Sequence, residues 1–329
     1  MNKNSSVDSI VYDPQLASVR AVQMVDMLRK DAGGGVRSGI PDLDDVLLPF
    51  RPGELVTVLG YASNYKSGFM NWLSKQAIKT IDPDDKESVV VRVTWEQSVE
   101  EDTLSWLAGD ANLSITRLAR GLVDEEEWHK LSVSSVRRAV VPMWIVGHSQ
   151  QDNAERRRAR PRMTMTDVAN ALEFICNDAT DHKQKIRMVV LDYLQRILPD
   201  KQDGNNKREQ MIEAVNRAKD CAVSFGCPVL LGVQAGRALL NRDDKTPTIQ
   251  DGQETSNIEQ SSDKMFGVWY PMKTEEPGQM INGHPVDKNL LIVRLLKQKL
   301  GEAPITMPLY VDPERNMISN FTALPKLKG

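Results

Sequence analysis

The chain has 329 residues, a net charge of −3, 26% charged residues and 40% hydrophobic residues. This suits one large globular domain with an appendage, or two small ones, and gives no bulk cationic surface for nucleic acid, although local loops can bind DNA on a near-neutral protein. No apolar run approaches the ~20 residues that span a bilayer, Met1 to Ser9 lacks the apolar segment of a signal peptide, and Cys176, Cys221 and Cys227 show no metal-ligand spacing, so a reducing, cytoplasmic setting without membrane contact is expected.

In chain order, Leu16, Val19, Val22, Val25 and Leu28 recur at three-residue steps, widened by Met24 and Met27. They predict an amphipathic helix over 14–31, ended by the breaker Gly33-Gly34-Gly35. Either this helix packs on its own domain, or the glycine joint frees it as an arm for a neighbouring subunit. Residues 1–35 therefore read as tail, helix and hinge, and 36–329 as the main domain.

From Val36 onward, buried-type strands are expected at Leu55–Gly60, Val89–Thr94, Met143–Val146, Met188–Leu191, Val229–Val233, Lys264–Tyr270 and Leu290–Leu296. Helices are expected between several of them, at Ser67–Thr80, Val99–Ala108, Thr166–Asn177 and Glu209–Phe225. Such alternation predicts an α/β fold with a parallel-dominated sheet, helices on both faces and ligands at the carboxyl ends of the strands. The last strands, near Tyr310–Val311, should pair antiparallel at one side. Three polar stretches are expected to be mobile: 150–162 with its arginine run, 200–208, and 241–262. The six tryptophans read by default as core, and the scattered histidines form no metal cluster.

The first strand runs into Gly60-Tyr61-Ala62-Ser63-Asn64-Tyr65-Lys66-Ser67-Gly68 and then a helix. This is nearly the phosphate loop G-x-x-x-x-G-K-[ST], with Tyr65 at the second glycine. In such a loop, backbone N–H groups wrap the phosphates of ATP, the lysine neutralises them and the hydroxyl binds Mg²⁺. Ser63, Asn64, Tyr65 and Gly68 complete the candidate cradle. Asp192 ends the strand Met188–Leu191 and can hold Mg²⁺ through water. Glu96, after Val91-Arg92-Val93-Thr94-Trp95, can orient and deprotonate an attacking water. Its bland alternative is a surface glutamate opening the next helix. Gln234 at the end of Val229–Val233 can sense a γ-phosphate, and its bland alternative is a strand-end surface residue.

In order, these segments resemble the carboxyl-terminal RecA-like ATPase domain of DnaB-type replicative helicases. The likeness covers about 36–320, with Val36–Asp44, Arg117–Trp128, Leu191-Asp192-Tyr193-Leu194-Gln195, Glu254–Gln260 and Lys297-Gln298-Lys299 as its motif segments. It implies a RecA-like P-loop core and an ATP- and Mg²⁺-dependent translocase that works in DNA replication on single-stranded DNA as a homohexameric ring. Loader or replication proteins would be its partners. It assigns Glu96 as catalytic, Gln234 as sensor, Lys297 and Lys299 as cations reaching the neighbour's γ-phosphate, and 251–260 as a DNA loop. Arg237, Arg242, Lys245, Gln253, Glu254 and Ser256 are the DNA-facing candidates. The helix at 14–31 falls where that family has its inter-subunit linker. Departures are Tyr65, Lys299 in place of an arginine, Gln253 in place of an arginine, the 150–162 insertion, and the lack of a primase-recruiting domain. They keep a second reading open: a nucleotide-binding scaffold that recruits replication or mobile-element partners without efficient hydrolysis.

Overall fold

The computed structural model describes residues 12–30, 35–157, 159, 163–177, 179, 183–199, 207–252 and 255–321. In chain order its helices are α1 (Pro14–Lys30), α2 (Pro41–Asp44), α3 (Lys66–Lys79), α4 (Val99–Asp110), α5 (Ile115–Ala119), α6 (Glu125–Arg138), α7 (Gln150–Glu155), α8 (Met165–Asn177), α9 (Lys207–Ser224) and α10 (Thr255–Ser261). The strands are β1 (Leu55–Gly60), β2 (Ser88–Thr94), β3 (Met143–Val146), β4 (Lys185–Asp192), β5 (Val229–Gln234), β6 (Lys264–Trp269), β7 (Met280–Ile281), β8 (His284–Pro285), β9 (Leu290–Gln298), β10 (Ile305–Asp312) and β11 (Met317–Asn320).

Among the described residues, nine strands form one sheet in the order β11-β10-β9-β6-β1-β5-β4-β2-β3. From β6 to β3 every pairing is parallel, whereas β9, β10 and β11 join antiparallel at one edge, as expected for the last strands. Both faces are covered, which explains why the central strands read as unbroken apolar runs rather than alternating ones. Along β1, Leu55 and Leu59 pack into one core layer and Val56 and Val58 into the other. The first layer takes Val168, Leu172 and Ile175 of α8 with Val215 and Ala218 of α9, and the second takes Phe69, Leu73 and Ala77 of α3. These residues sit three or four apart, so each helix lays one stripe on the sheet.

The sequence places β1 and β3 correctly at both ends and the other main strands within a few residues. The polar stretch 241–262 is not wholly irregular: α10 forms there, fastened by the buried Ile258. Likewise α7 forms inside 150–162, capped by Ser149, whose side chain accepts from the Asp152 N–H. Arg156 and Arg157 of the arginine run are exposed, and Arg158, Arg160 and Arg162 lie outside the described residues, as do residues 200–206. The tryptophan default fails at Trp128, which is 60% exposed on α6, a helix that turns most of its surface to solvent.

Helix α1 forms as predicted, but among the described residues its apolar stripe is uncovered. Leu16, Val19, Val22, Met24 and Val25 are all exposed, so these five side chains do not show the intramolecular packing alternative. Gly33 and Gly34 of the expected hinge lie outside the described residues. Gly35 has φ 144°, and a Cβ there would strike Phe50 O, because the Val36–Phe50 bridge draws the two backbones together.

Candidate functional site

The loop between β1 and α3 sits at the carboxyl end of the parallel strands, where the topology places ligands. Residues 61–68, Glu96, Tyr193 and Gln234 together line a cavity of about 340 Å³. That volume lies within the usual range of small-molecule sites. Lys66 opens α3 and points its ammonium at the Tyr193 ring, 4.3 Å from the centroid. Burial pulls the Lys66 pKa down, while the charges of Asp192 and Glu96 work against that shift.

Each of these groups is held by its own local device. Glu96 lies between the end of β2 and a capped helix. Thr94 Oγ1 donates to Gln97 O at 2.9 Å, and Ser98 and Glu101 form a reciprocal capping box at the start of α4. The backbone of Gln234 is gripped by Gln195, whose Nε2 donates to Gln234 O and whose Oε1 accepts from the Gln234 N–H, both at 3.1 Å. Asp192 is buried, its Oδ2 lies 3.6 Å from Arg92 Nη2, and its Oδ1 has no hydrogen-bond partner among the described residues. A buried, unpartnered carboxylate oxygen beside a loop that presents Ser67 fits a hydrated magnesium ion. Ser67, on the first turn of α3, and Asp192 are therefore the residues that would hold it.

Tyr65 adopts φ 63° and ψ 16°, the left-handed conformation that the motif's glycine exists to permit. For a non-glycine residue this costs roughly 1–2 kcal/mol. The side chain supplies the compensation. Its ring leaves the cradle for the first turn of α3, where a Cβ on Gly68 would come within 2.6 Å of it. It approaches Tyr270 at 6.1 Å between centroids, and its hydroxyl donates to Asn316 Oδ1 at 2.8 Å. Burial, reinforced by Asp312, pushes the phenol pKa up. Gly68 thus makes room for the tyrosine ring. Asn64 is buried too and fastens the loop from inside, with Oδ1 accepting from the Tyr270 N–H at 3.0 Å. At Gly60 a Cβ would press on Lys66 Cβ at 3.1 Å, which accounts for the glycine that ends β1.

Two groups of predicted site residues do not join this cavity. Lys297 and Lys299 follow the register of β9 to the opposite, amino end of β1 and β6. Lys297 Nζ donates to Glu259 O at 2.5 Å near the end of α10, and Lys299 Nζ pairs with Asp263 Oδ1 at 2.6 Å while staying 62% exposed. Of the DNA-facing candidates, Arg237 is exposed, but Arg242 pairs with Asp251 at 2.7 Å. Lys245 is 14% exposed and pairs with Glu275, which removes it from any external phosphate. Gln253 and Glu254 lie outside the described residues, and Ser256 is placed only as part of α10. Sequence reasoning missed Arg92, Tyr193 and Gln195 as site-building residues. A lone arginine inside a run of valines was the available signal for Arg92.

A phosphate loop between β1 and α3, with a carboxylate at the tip of the parallel strand β4 and β5 standing between the two strands, is the arrangement of RecA-like P-loop ATPase domains. The chain belongs to the DnaB-like helicase C-terminal domain family, whose model matches residues 35–306. It is 22% identical over 304 residues to the replicative DNA helicase DnaC of Bacillus subtilis, covering 91% of this chain and 59% of that protein. It is 24% identical over 302 residues to the replicative DNA helicase DnaB of Rickettsia conorii, covering 87% and 57%. The chain thus spans somewhat over half the length of these curated relatives. Among solved structures, that of an ATPase domain on its own superposes with a TM-score of 0.74 at 20% identity, covering 94% of this chain and all of that one. A DnaB-like replicative helicase, described with its interactions with primase, gives 0.72 at 20% identity, covering 92% and 66%.

Proposed function

We propose that this protein is an ATP-dependent translocase on single-stranded DNA that serves replication as a ring, a hexamer of identical chains. The observation that carries the reading is the convergence of Lys66, Ser67, Glu96 and Gln234 on one cavity, with Asp192 buried beside them. Lys66 neutralises the terminal phosphates, Glu96 takes a proton from the attacking water, and Gln234 senses the γ-phosphate by hydrogen bonding. Magnesium, held from Ser67 and Asp192, would screen charge on the β- and γ-phosphates. Lys297 and Lys299, remote from their own loop, would serve a neighbour's site. Lysine lacks the planar fork of arginine, so this contribution is a point charge. The segment 251–260 would carry the strand.

The ring reading is supported by α1, which shows an apolar stripe and two arginines, Arg20 and Arg29, to solvent. A groove of about 690 Å³ between α8 and α9 is lined by Met165, Ala169, Ile212 and Phe225 together with Glu173 and Glu213. Its chemistry suits the arm of a second copy. Deleting residues 1–31 should yield monomers by light scattering with an unchanged melting temperature, and a truncated protein that still assembles would refute the arm. Residues 36–329 would then form the motor domain on their own.

The decisive experiment is ATP turnover with and without single-stranded DNA, using Glu96→Gln as control. Strong stimulation lost in the variant is expected, and no stimulated turnover in the wild type would overturn the motor. The scaffold reading keeps one specific support, the tyrosine locked at the loop's glycine position. A scaffold would bind nucleotide without turning it over, and Lys66→Ala would leave assembly intact.

A further inference from the structure

Strand β2 buries a single cation among its valines. Arg92 is 1% exposed, and its guanidinium faces three elements at once. Nε donates to Asp102 Oδ1 of α4 at 2.5 Å, and Nη1 donates to Asn71 Oδ1 of α3. Nη2 lies 3.6 Å from Asp192 Oδ2 of β4 and, like Asp192 Oδ1, has no hydrogen-bond partner among the described residues. The same three elements carry the site: α3 begins with Lys66, α4 follows Glu96, and β4 ends in Asp192. A buried ion pair is seldom the most stable filling for such a space, since apolar residues of similar volume serve as well or better. A reason beyond stability is therefore called for, and the half-partnered Nη2 aimed at Asp192 supplies one.

We propose that Arg92 is a positioning residue that acts as a resident counter-charge to Asp192. It orients and compensates the carboxylate when no cation lies beside it, and it opposes the approach of magnesium. The metal requirement of nucleotide binding is then set partly by Arg92. The contacts to Asp102 and Asn71 keep the guanidinium in place whether or not the metal is present, and they tie the metal-facing carboxylate to the helices behind Lys66 and Glu96. This inference rests on the reading of Asp192 as the metal-facing carboxylate.

The test is the affinity of the full chain for a fluorescent ATP analogue, measured across free magnesium concentrations, with thermal melting in parallel. Arg92→Leu alone strands Asp102 in the core and can fail to fold, so the informative variant combines Arg92→Leu with Asp102→Leu. Its half-saturating magnesium should fall about tenfold, because the like charge 3.6 Å from Asp192 is lost, while the Asp102 carboxylate lost with it contacts Nε and not Asp192. Arg92→Lys should stay within about threefold of wild type, because the charge is kept. Asp102→Asn frees the guanidinium for Asp192 and should raise the magnesium requirement, which gives a second readout should the double variant not fold. An unchanged or raised requirement in the folded double variant, or a lowered one in Asp102→Asn, would overturn the proposal. If wild-type binding ignores magnesium, or Asp192→Asn leaves its dependence unaltered, the metal reading of Asp192 fails, and this inference fails with it.

Discussion

At the amino end of β1, Asp263 accepts from the Leu55 N–H at 2.8 Å and from Lys219 and Lys299, each at 2.6 Å, while Lys264 pairs with Glu54. At the carboxyl end of the sheet's parallel strands, Asp192 keeps one buried oxygen without a partner among the described residues, and Lys66 rests its charge on the face of a tyrosine. Both ends bury charge in the same sheet, yet Asp263 has both its oxygens partnered whereas Asp192 Oδ1 has none among the described residues. An unsatisfied buried polar atom is unfavourable, so the unpartnered Asp192 oxygen beside the loop suits a ligand there. The closed end belongs to the architecture.

The contrast can be broken in several ways. Glu96→Gln should lower turnover by about 10²–10⁴-fold, the usual contribution of a positioned base, with nucleotide affinity unchanged by equilibrium titration. A comparable loss of affinity would assign Glu96 to binding instead. Lys66→Ala should weaken the ATP analogue by about 10–100-fold, equivalent to the loss of a hydrogen bond to a charged group, with little change in melting temperature. At the closed end the pattern should invert. Asp263→Ala should destabilise the fold by about 2–3 kcal/mol in urea titration, because the Leu55 N–H is stranded, yet leave nucleotide affinity intact in the folded protein.

Acid should open that closed end as well. Burial alone would raise the Asp263 carboxyl, but hydrogen bonds from Lys219, Lys299 and Leu55 outweigh it and hold its pKa below the ordinary value. A depressed carboxylate stabilises fully above its unfolded pKa of about 4 and loses that contribution as pH falls through the folded value. Unfolding titrations of wild type and Asp263→Asn should therefore converge below about pH 4. A constant gap at all pH values would remove Asp263 from the account.

Smaller effects sharpen the picture. Tyr65→Phe should cost about 1 kcal/mol, the worth of its bond to Asn316, and leave the cradle formed. A large loss of nucleotide affinity in that variant would mean that the hydroxyl serves the ligand rather than the β10–β11 turn. Smallest of all, Lys299→Ala should change stability by less than about 1 kcal/mol, since Lys299 is 62% exposed and Asp263 keeps its bonds from Lys219 and the Leu55 N–H. A fall in turnover despite that would support its service to a neighbour.

Much of this was written along the chain. Unbroken apolar runs such as Leu55-Val56-Thr57-Val58-Leu59 announce strands covered on both faces, and the loop from Gly60 to Gly68 fixes a strand-turn-helix at which phosphates can bind. Local patterns encode local geometry, so Lys66, Glu96, Asp192 and Gln234 stand out at strand ends from the order of residues alone. What the chain could not reveal was set by distance in sequence. Only folding brings Asn316 to Tyr65, Gln195 to Gln234, and Asp102 and Asn71 to Arg92. Only the register of β9 carries Lys297 and Lys299 to the far end of the sheet, and only packing buries Lys245 against Glu275. Periodicity shows which face of a segment seeks cover, whereas the partner that compensates a buried charge is chosen by the whole chain's topology.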